Sequence, residues 1–167
     1  MVSLESELDI GEQMRVVIGA DHVGFELKQQ IIKFFDEINM TYIDVGTHNT
    51  EMVDYPDIAY DVARKTVEDR DMVGILICGT GVGMCIAANK VWGVRAALCH
   101  NELIARQCRQ DDDSNVLVLG SKMIDSDAAK RIVQIFLSTK FSEKERHRRR
   151  IDRIGFLEKK QCMETHC

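Results

Sequence analysis

Apolar residues along this chain fall into short unbroken runs, separated by longer stretches in which they recur at helical spacing. The runs are Arg15–Ala20, Thr41–Gly46, Val73–Cys78, Val94–Leu98 and Asn115–Leu119. Val73-Gly74-Ile75-Leu76-Ile77-Cys78 lacks the alternation of a strand with one wet face, so it predicts a strand covered on both sides. Between the runs, Phe25, Leu27, Ile31, Ile32, Phe34, Phe35 and Ile38 recur at steps that predict a helix over 25–38. Pro56, the only proline, is placed to open a helix carrying Ile58, Ala59, Val62, Ala63 and Val67. Further helices are expected from near Val82, over Glu102–Gln110, and over Asp125–Leu137 with Asp125 as cap. The last, Ser142–Lys160, is highly charged, with only Ile151, Ile154 and Leu157 as an apolar stripe. Such a helix buries little in its own subunit and is expected to dock on a partner.

Five strand–helix units in alternation predict an α/β fold, a three-layer Rossmann-like sandwich around a five-stranded parallel sheet. Ligands of such sheets bind outside the carboxyl ends of the strands. Those ends carry Asp21-His22, Gly46-Thr47, Cys78-Gly79-Thr80, His100-Asn101 and Gly120-Ser121-Lys122. The first and third are the richest chemically and are expected to share one cleft. After Cys78, Gly79-Thr80-Gly81-Val82-Gly83 lets the backbone turn sharply and present bare N–H groups where a helix begins. A thiol in that field is favoured as thiolate. The segment therefore offers a base or nucleophile beside an anion hole.

Composition narrows the class. The 167 residues, 45% hydrophobic and 29% charged, suit one globular domain over 14–160, with a polar extension at 1–13 and a tail at 161–167. A net charge of −5 argues against a general nucleic-acid surface, and Arg146–Arg150 is a local basic exception. No apolar stretch approaches the ~18 residues that cross a bilayer, and 1–13 lacks a signal peptide's apolar core. The chain is read as cytoplasmic, with neither membrane nor nucleic acid as partner. Six cysteines show no paired metal spacing and read as reduced thiols. Cys162, His166 and Cys167 lack a second ligand pair and read as a frayed terminus, not a metal site.

Several stretches together resemble one family. They are Gly19-Ala20-Asp21-His22-Val23-Gly24, Asp54-Tyr55-Pro56, Cys78-Gly79-Thr80-Gly81-Val82-Gly83, Ala87-Ala88-Asn89-Lys90, Gly93-Val94-Arg95-Ala96-Ala97, Asn115-Val116-Leu117 and Arg146-His147-Arg148-Arg149-Arg150. In order and spacing, from about Met14 to Lys160, they resemble the type B ribose-5-phosphate isomerases, whose wider family includes galactose-6-phosphate isomerases. The resemblance implies interconversion of ribose-5-phosphate and ribulose-5-phosphate through a cis-enediolate, in the non-oxidative pentose phosphate pathway. It implies no cofactor and no metal, and a homodimer with shared active sites, or a tetramer. By position, Cys78 is the base and Thr80 stands with it in the catalytic loop. Gly79, Gly81, Val82 and Gly83 hold the enediolate oxygen, and Asp21 and His22 bind the sugar phosphate. Arg146 and Arg150 grip the phosphate, while Tyr55 and Asn89 line the cleft.

The chemistry agrees with this. A carbon acid beside a carbonyl needs its enolate oxygen stabilised, and preorganised N–H donors supply about 3 kcal/mol each. Guanidinium groups four residues apart on a helix face one side. Three substrate-site positions depart from the family pattern. Asp111 stands where a ring-opening histidine is usual, Asp112 where asparagine is usual, and Lys122 where an arginine binds phosphate. Lysine still neutralises phosphate, without the bidentate fork. Asp111 is expected to take over the acid–base role, helped by repulsion among three adjacent acids.

Other readings remain open at this level. Galactose-6-phosphate or allose-6-phosphate isomerisation uses the same core. A sensor that binds sugar phosphate without turnover would tolerate the missing histidine. A nucleotide-binding module would use the glycine loop, with Glu102 as its ribose acid. Against that last reading, the spacing is G-x-G-x-G, and the loop follows the third strand, not the first.

Overall fold

The computed structural model describes residues 14–164. Five strands form one parallel sheet: β1 (Arg15–Ala20), β2 (Tyr42–Asp44), β3 (Met72–Cys78), β4 (Ala96–Leu98) and β5 (Val116–Gly120). The helices are α1 (Phe25–Glu37), α2 (Tyr55–Glu68), α3 (Val82–Ala88), α4 (Glu102–Asp112), α5 (Ser126–Ser138) and α6 (Glu145–Glu164). The strand order is β2-β1-β3-β5-β4, with all pairs parallel. This is the three-layer, Rossmann-like arrangement that the alternation of runs and helical stretches predicts.

Side-chain alternation divides the core between the two faces of the sheet. Val16, Ile18, Val73, Ile75, Ile77, Leu117 and Leu119 pack with Ile31 and Phe35 of α1, Ala105 of α4, and Ile132 and Phe136 of α5. Val17, Leu76, Cys78, Val116 and Val118 pack with Val62 and Ala63 of α2 and Met84 of α3. All seven residues of β3 are buried, as its unbroken run requires. The second face is close-packed because two positions lack side chains. A Cβ on Gly74 would lie 2.6 Å from Thr66 Oγ1, and one on Gly19 would lie 2.8 Å from Val62 Cγ2.

Boundaries move where backbone geometry intervenes. β2 is three residues, shorter than the expected 41–46. Beyond Asp44 the chain still bonds β1 through Val45 N to Ile18 O, then turns at Gly46, whose φ of +113° suits only glycine. β4 starts at Ala96, because Val94 N bonds back to Val91 O in a turn. α4 runs two residues past the expected Gln110, so Asp111 and Asp112 are helical and left-handed Asp113 is the cap. Asp125 caps α5 as expected, accepting from Ala128 N at 2.8 Å. α6 packs on α4 and continues to Glu164, four residues beyond the expected end, leaving Ile154, Phe156 and Leu157 about half exposed. The extension 1–13, the side chain of Cys162, and the terminal His166 and Cys167 lie outside the described residues.

Candidate active site

The strand order switches direction between β1 and β3, and the crevice beyond their carboxyl ends is where such sheets take ligands. Asp21 N donates to Ile77 O at 3.1 Å, tying the two strand ends together. Asp21 is buried, and its Oδ1 accepts from Val23 N and Gly24 N at 3.0 and 2.8 Å. One carboxylate oxygen thus shapes the turn that carries His22. Glycine is required at 24, since a Cβ there would meet the Ile77 carbonyl oxygen at 2.4 Å. His22 accepts from Val53 N at Nδ1, 3.4 Å, which leaves a donor on Nε2.

Cys78 ends β3 on the α2/α3 side and is 5% exposed. Gly81 turns back over it with φ +82°, and its N–H donates to Cys78 Sγ at 3.2 Å. The sulfur is thus an acceptor for the loop that turns over it. Val82 N reaches Thr80 Oγ1 at 3.4 Å, whereas the amides of Gly79, Thr80 and Gly83 have no acceptor among the described residues. Three donors therefore remain beside the sulfur. Tyr55, the first residue of α2, lays its ring over Gly83, where a Cβ would lie 2.6 Å from Cζ. Lys122 runs along Gly79, with Cε 3.6 Å from a Cβ there, and its N–H bonds Gly79 O at 3.0 Å. Ser121 Oγ donates to Val23 O at 3.1 Å and stitches the β5 end to the His22 turn. The structure thus gathers Asp21, His22, Tyr55, the 79–83 loop and Lys122.

The remaining candidates lie elsewhere. Asn89 bridges α3 to β4: its Nδ2 donates to Cys85 O and Ala96 O at 3.0 Å, and its Oδ1 accepts from Ala96 N at 2.9 Å. Asp111 and Asp112 end α4, which runs back from the crevice to the opposite edge of the sheet. There Asp113 binds Arg95 and Arg109 at 2.9 and 3.2 Å, next to the start of β5. Since β3 spans Met72–Cys78, that edge is about 20 Å from the sulfur. Arg146 and Arg150 sit on the first turns of α6 and are exposed. His147, buried among them, reaches Asp111 Oδ1 at 3.4 Å. An open cavity of about 930 Å³ lies at this far edge, lined by Asp71, Arg95, Arg109 and Asp113, but it contains none of the strand-end chemistry. The candidate residues therefore fall into two groups, at opposite edges of the sheet.

The model of the ribose/galactose isomerase family matches residues 16–154. The chain belongs to that family. It is 41% identical over 147 residues to ribose-5-phosphate isomerase B of Escherichia coli, covering 88% of this chain and 98% of that one. It is 36% identical over 146 residues to D-erythrulose-4-phosphate isomerase of Pectobacterium atrosepticum, covering 87% and 95%. Among solved structures, ribose-5-phosphate isomerase B of Clostridium thermocellum superposes with a TM-score of 0.84 at 45% identity, covering 89% and 99%. This chain is thus a sugar-phosphate isomerase of the aldose–ketose type.

The crevice holds a sulfur hydrogen-bonded by an amide, unpaired amides along the same loop, and the lysine Lys122. Of the other described thiols, Cys99 and Cys108 pack on the opposite face of the sheet, and contact with Cys99 holds Cys108 down. Burial pushes Cys85 up. Cys99, 3.8 Å from Cys108, is pushed up by its contact with that thiol and by burial. Sequence reasoning missed Ser121 and His147. Ser121 was visible only as the middle of a strand-end triplet. His147 was visible only as one member of a basic run, whose burial no pattern announces. Among the described residues no cluster of three or more His, Cys, Asp or Glu could hold a metal, and no helix is long and apolar enough to cross a membrane.

Proposed function

We propose that this isomerase interconverts ribose-5-phosphate and ribulose-5-phosphate with Cys78 as base. The Cys78 thiolate takes the proton from C2 of the open-chain aldose, and the C–H electrons form the C1–C2 double bond of a cis-enediolate. The negative charge passes to O1, held by the amides of Gly79, Thr80 and Gly83. The O2 hydroxyl proton passes to O1, the thiol returns its proton to C1 and O2 becomes the ketone oxygen, so nothing is gained or lost overall. The observation that carries this is the 3.2 Å contact from Gly81 N to Cys78 Sγ, inside a loop that keeps three amides without acceptors. His22 and Lys122 supply polar contacts from the same chain.

The phosphate grip of Arg146 and Arg150, and the ring-opening role of Asp111 with Asp112 beside it, come from a second copy in this reading. The ~20 Å between the half-sites supports it, since no side chain spans that distance. So does α6, whose exposed Ile154, Phe156 and Leu157 suit docking on a partner subunit. The four free cysteines among the described residues fit a reducing cytoplasm. His22 together with Arg146 and Arg150 favours the pentose over galactose-6-phosphate or allose-6-phosphate.

A turnover screen with ribose-5-phosphate, allose-6-phosphate, galactose-6-phosphate and erythrulose-4-phosphate tests the substrate. The highest kcat/KM is expected for ribose-5-phosphate, and a better substrate among the others overturns that choice. Subunit mixing tests the shared site. Homodimers of Cys78→Ser and of Arg146→Ala should be inactive. Their mixture should recover about a quarter of wild-type activity, from one intact site in each mixed dimer. No recovery places both half-sites in one chain.

A further inference from the structure

His147 is 1% exposed, although it sits in the most charged stretch of the chain, Glu143–Arg150. Its ring fills the joint between α6 and the end of α4, and its polar contacts are internal. Ser142 Oγ lies 2.7 Å from Nδ1, and Asp111 Oδ1 lies 3.4 Å from the same nitrogen. Arg146 Nε donates to Nε2 at 2.9 Å. Arginine has no acceptor, so Nε2 must present its lone pair and the ring proton must be on Nδ1. Nδ1–H then faces Ser142 and Asp111. A neutral imidazole is the one side chain that offers a donor on one ring nitrogen and an acceptor on the other while filling a buried joint.

The two groups it touches come from different parts of the proposed reaction. Asp111 stands where a ring-opening group is expected, and Arg146 where a phosphate ligand is expected. Only Nε of Arg146 is engaged, and neither of its terminal nitrogens has a partner among the described residues. The fork is thus held at its root and open at its tip, as bidentate recognition of a phosphate requires. The remaining chain contacts brace the same joint, with Ser142 N donating to Gln110 O at 3.0 Å and His147 N to Lys144 O at 2.9 Å.

We propose that His147 is the positioning residue of the half-site that each subunit lends to its partner. Held in the Nδ1–H tautomer, it aims the Arg146 fork at the substrate phosphate through Nε2, and it orients the Asp111 carboxylate for ring opening through Nδ1. This rests on the aldose–ketose reading with groups drawn from two copies.

Three substitutions separate the two nitrogens. His147→Gln keeps an amide near Nε2, His147→Asn keeps one near Nδ1, and His147→Phe keeps the ring shape with neither. With ribose-5-phosphate, His147→Gln should hold KM near the wild-type value while kcat falls about tenfold, as the Nδ1 contact with the Asp111 carboxylate at 3.4 Å is lost. His147→Asn should show the reverse, KM rising about tenfold with kcat largely kept. His147→Phe should lose on both counts. Equal losses in all three that follow only their melting temperatures would reduce His147 to packing and overturn the proposal, as would wild-type kinetics in His147→Phe. Long-range nitrogen–proton NMR of the wild-type ring needs no variant: a proton on Nδ1 and none on Nε2 is expected, and a proton on Nε2 overturns it. Should the wild-type protein isomerise no aldose phosphate, the proposal falls with the reading it rests on. An Nδ1–H ring would then show that the reading, not the geometry of the joint, had failed.

Discussion

Replacing Cys78 by serine and by alanine separates chemistry from stability at one atom. Both changes remove the thiolate. Serine keeps an acceptor for Gly81 N, which now donates to Sγ at 3.2 Å, whereas alanine leaves that buried N–H without a partner. Proton transfer by a positioned base is worth about 10²–10⁴ in rate. A hydroxyl is a far weaker acid than a thiol, so both variants should lose kcat by that range, equivalent to ~3–5 kcal/mol. The orphaned amide should cost alanine a further ~1–3 kcal/mol of stability that serine avoids. In a chain of this length that is roughly 2–12 °C in melting temperature. The assay is isomerisation in D₂O with detection of deuterium at the reacting carbons, alongside thermal unfolding. Wild-type protein should incorporate solvent deuterium, and neither variant should do so at a comparable rate. If Cys78→Ala exchanged the carbon-bound hydrogen at wild-type speed, the base would lie elsewhere, and the loop's amides would need another explanation.

Three further outcomes follow from neighbouring geometry. In Gly83→Ala the new methyl would meet the Tyr55 ring at 2.6–2.8 Å, so the ring must swing from the loop. KM should rise several-fold, while stability falls by only about 1 kcal/mol, because the displaced group is a movable side chain. Lys28 is fully buried, with Nζ 2.6 Å from Asp44 Oδ1 and 2.7 Å from Thr47 O. Lys28→Met strands those acceptors and should lower the denaturant midpoint by the equivalent of ~3 kcal/mol, and an unchanged midpoint would refute that role. The Cys99 thiol is held above its ordinary range by its contact with Cys108 and by burial, so the folded state keeps a proton that the unfolded chain releases. Stability therefore declines as pH rises above the unfolded thiol's value, roughly 8.5, and Cys99→Ala should flatten that part of the profile. Equal slopes in the two proteins would contradict the shift.

Much of this was legible before any coordinates. The unbroken run of β3 announced a strand with two covered faces, and Cys78 at its end, followed by three glycines, announced the loop. Asp125 announced its own helix by capping it. Local chemistry governs these features: side-chain period, φ preference and hydrogen bonding within a few residues. The acids at 111–113 were harder to read. Three adjacent carboxylates suggest mutual repulsion, yet Asp113 is bound by Arg95 and Arg109 while Asp111 turns to His147. Asn89 carried a motif that resembled a cleft residue, but its amide is occupied in fastening α3 to β4.

The layered α/β fold, the strand ends that carry the chemistry, and the cysteine loop are each encoded by residues close together along the chain. Tertiary structure alone decided which of those ends meet. Strand order brought β1 and β3 together, and the backward course of α4 carried Asp111 and the basic start of α6 to the opposite edge. Burial of His147 between two charged neighbours was likewise settled there, since a contact among residues 111, 142, 146 and 147 depends on how helices cross.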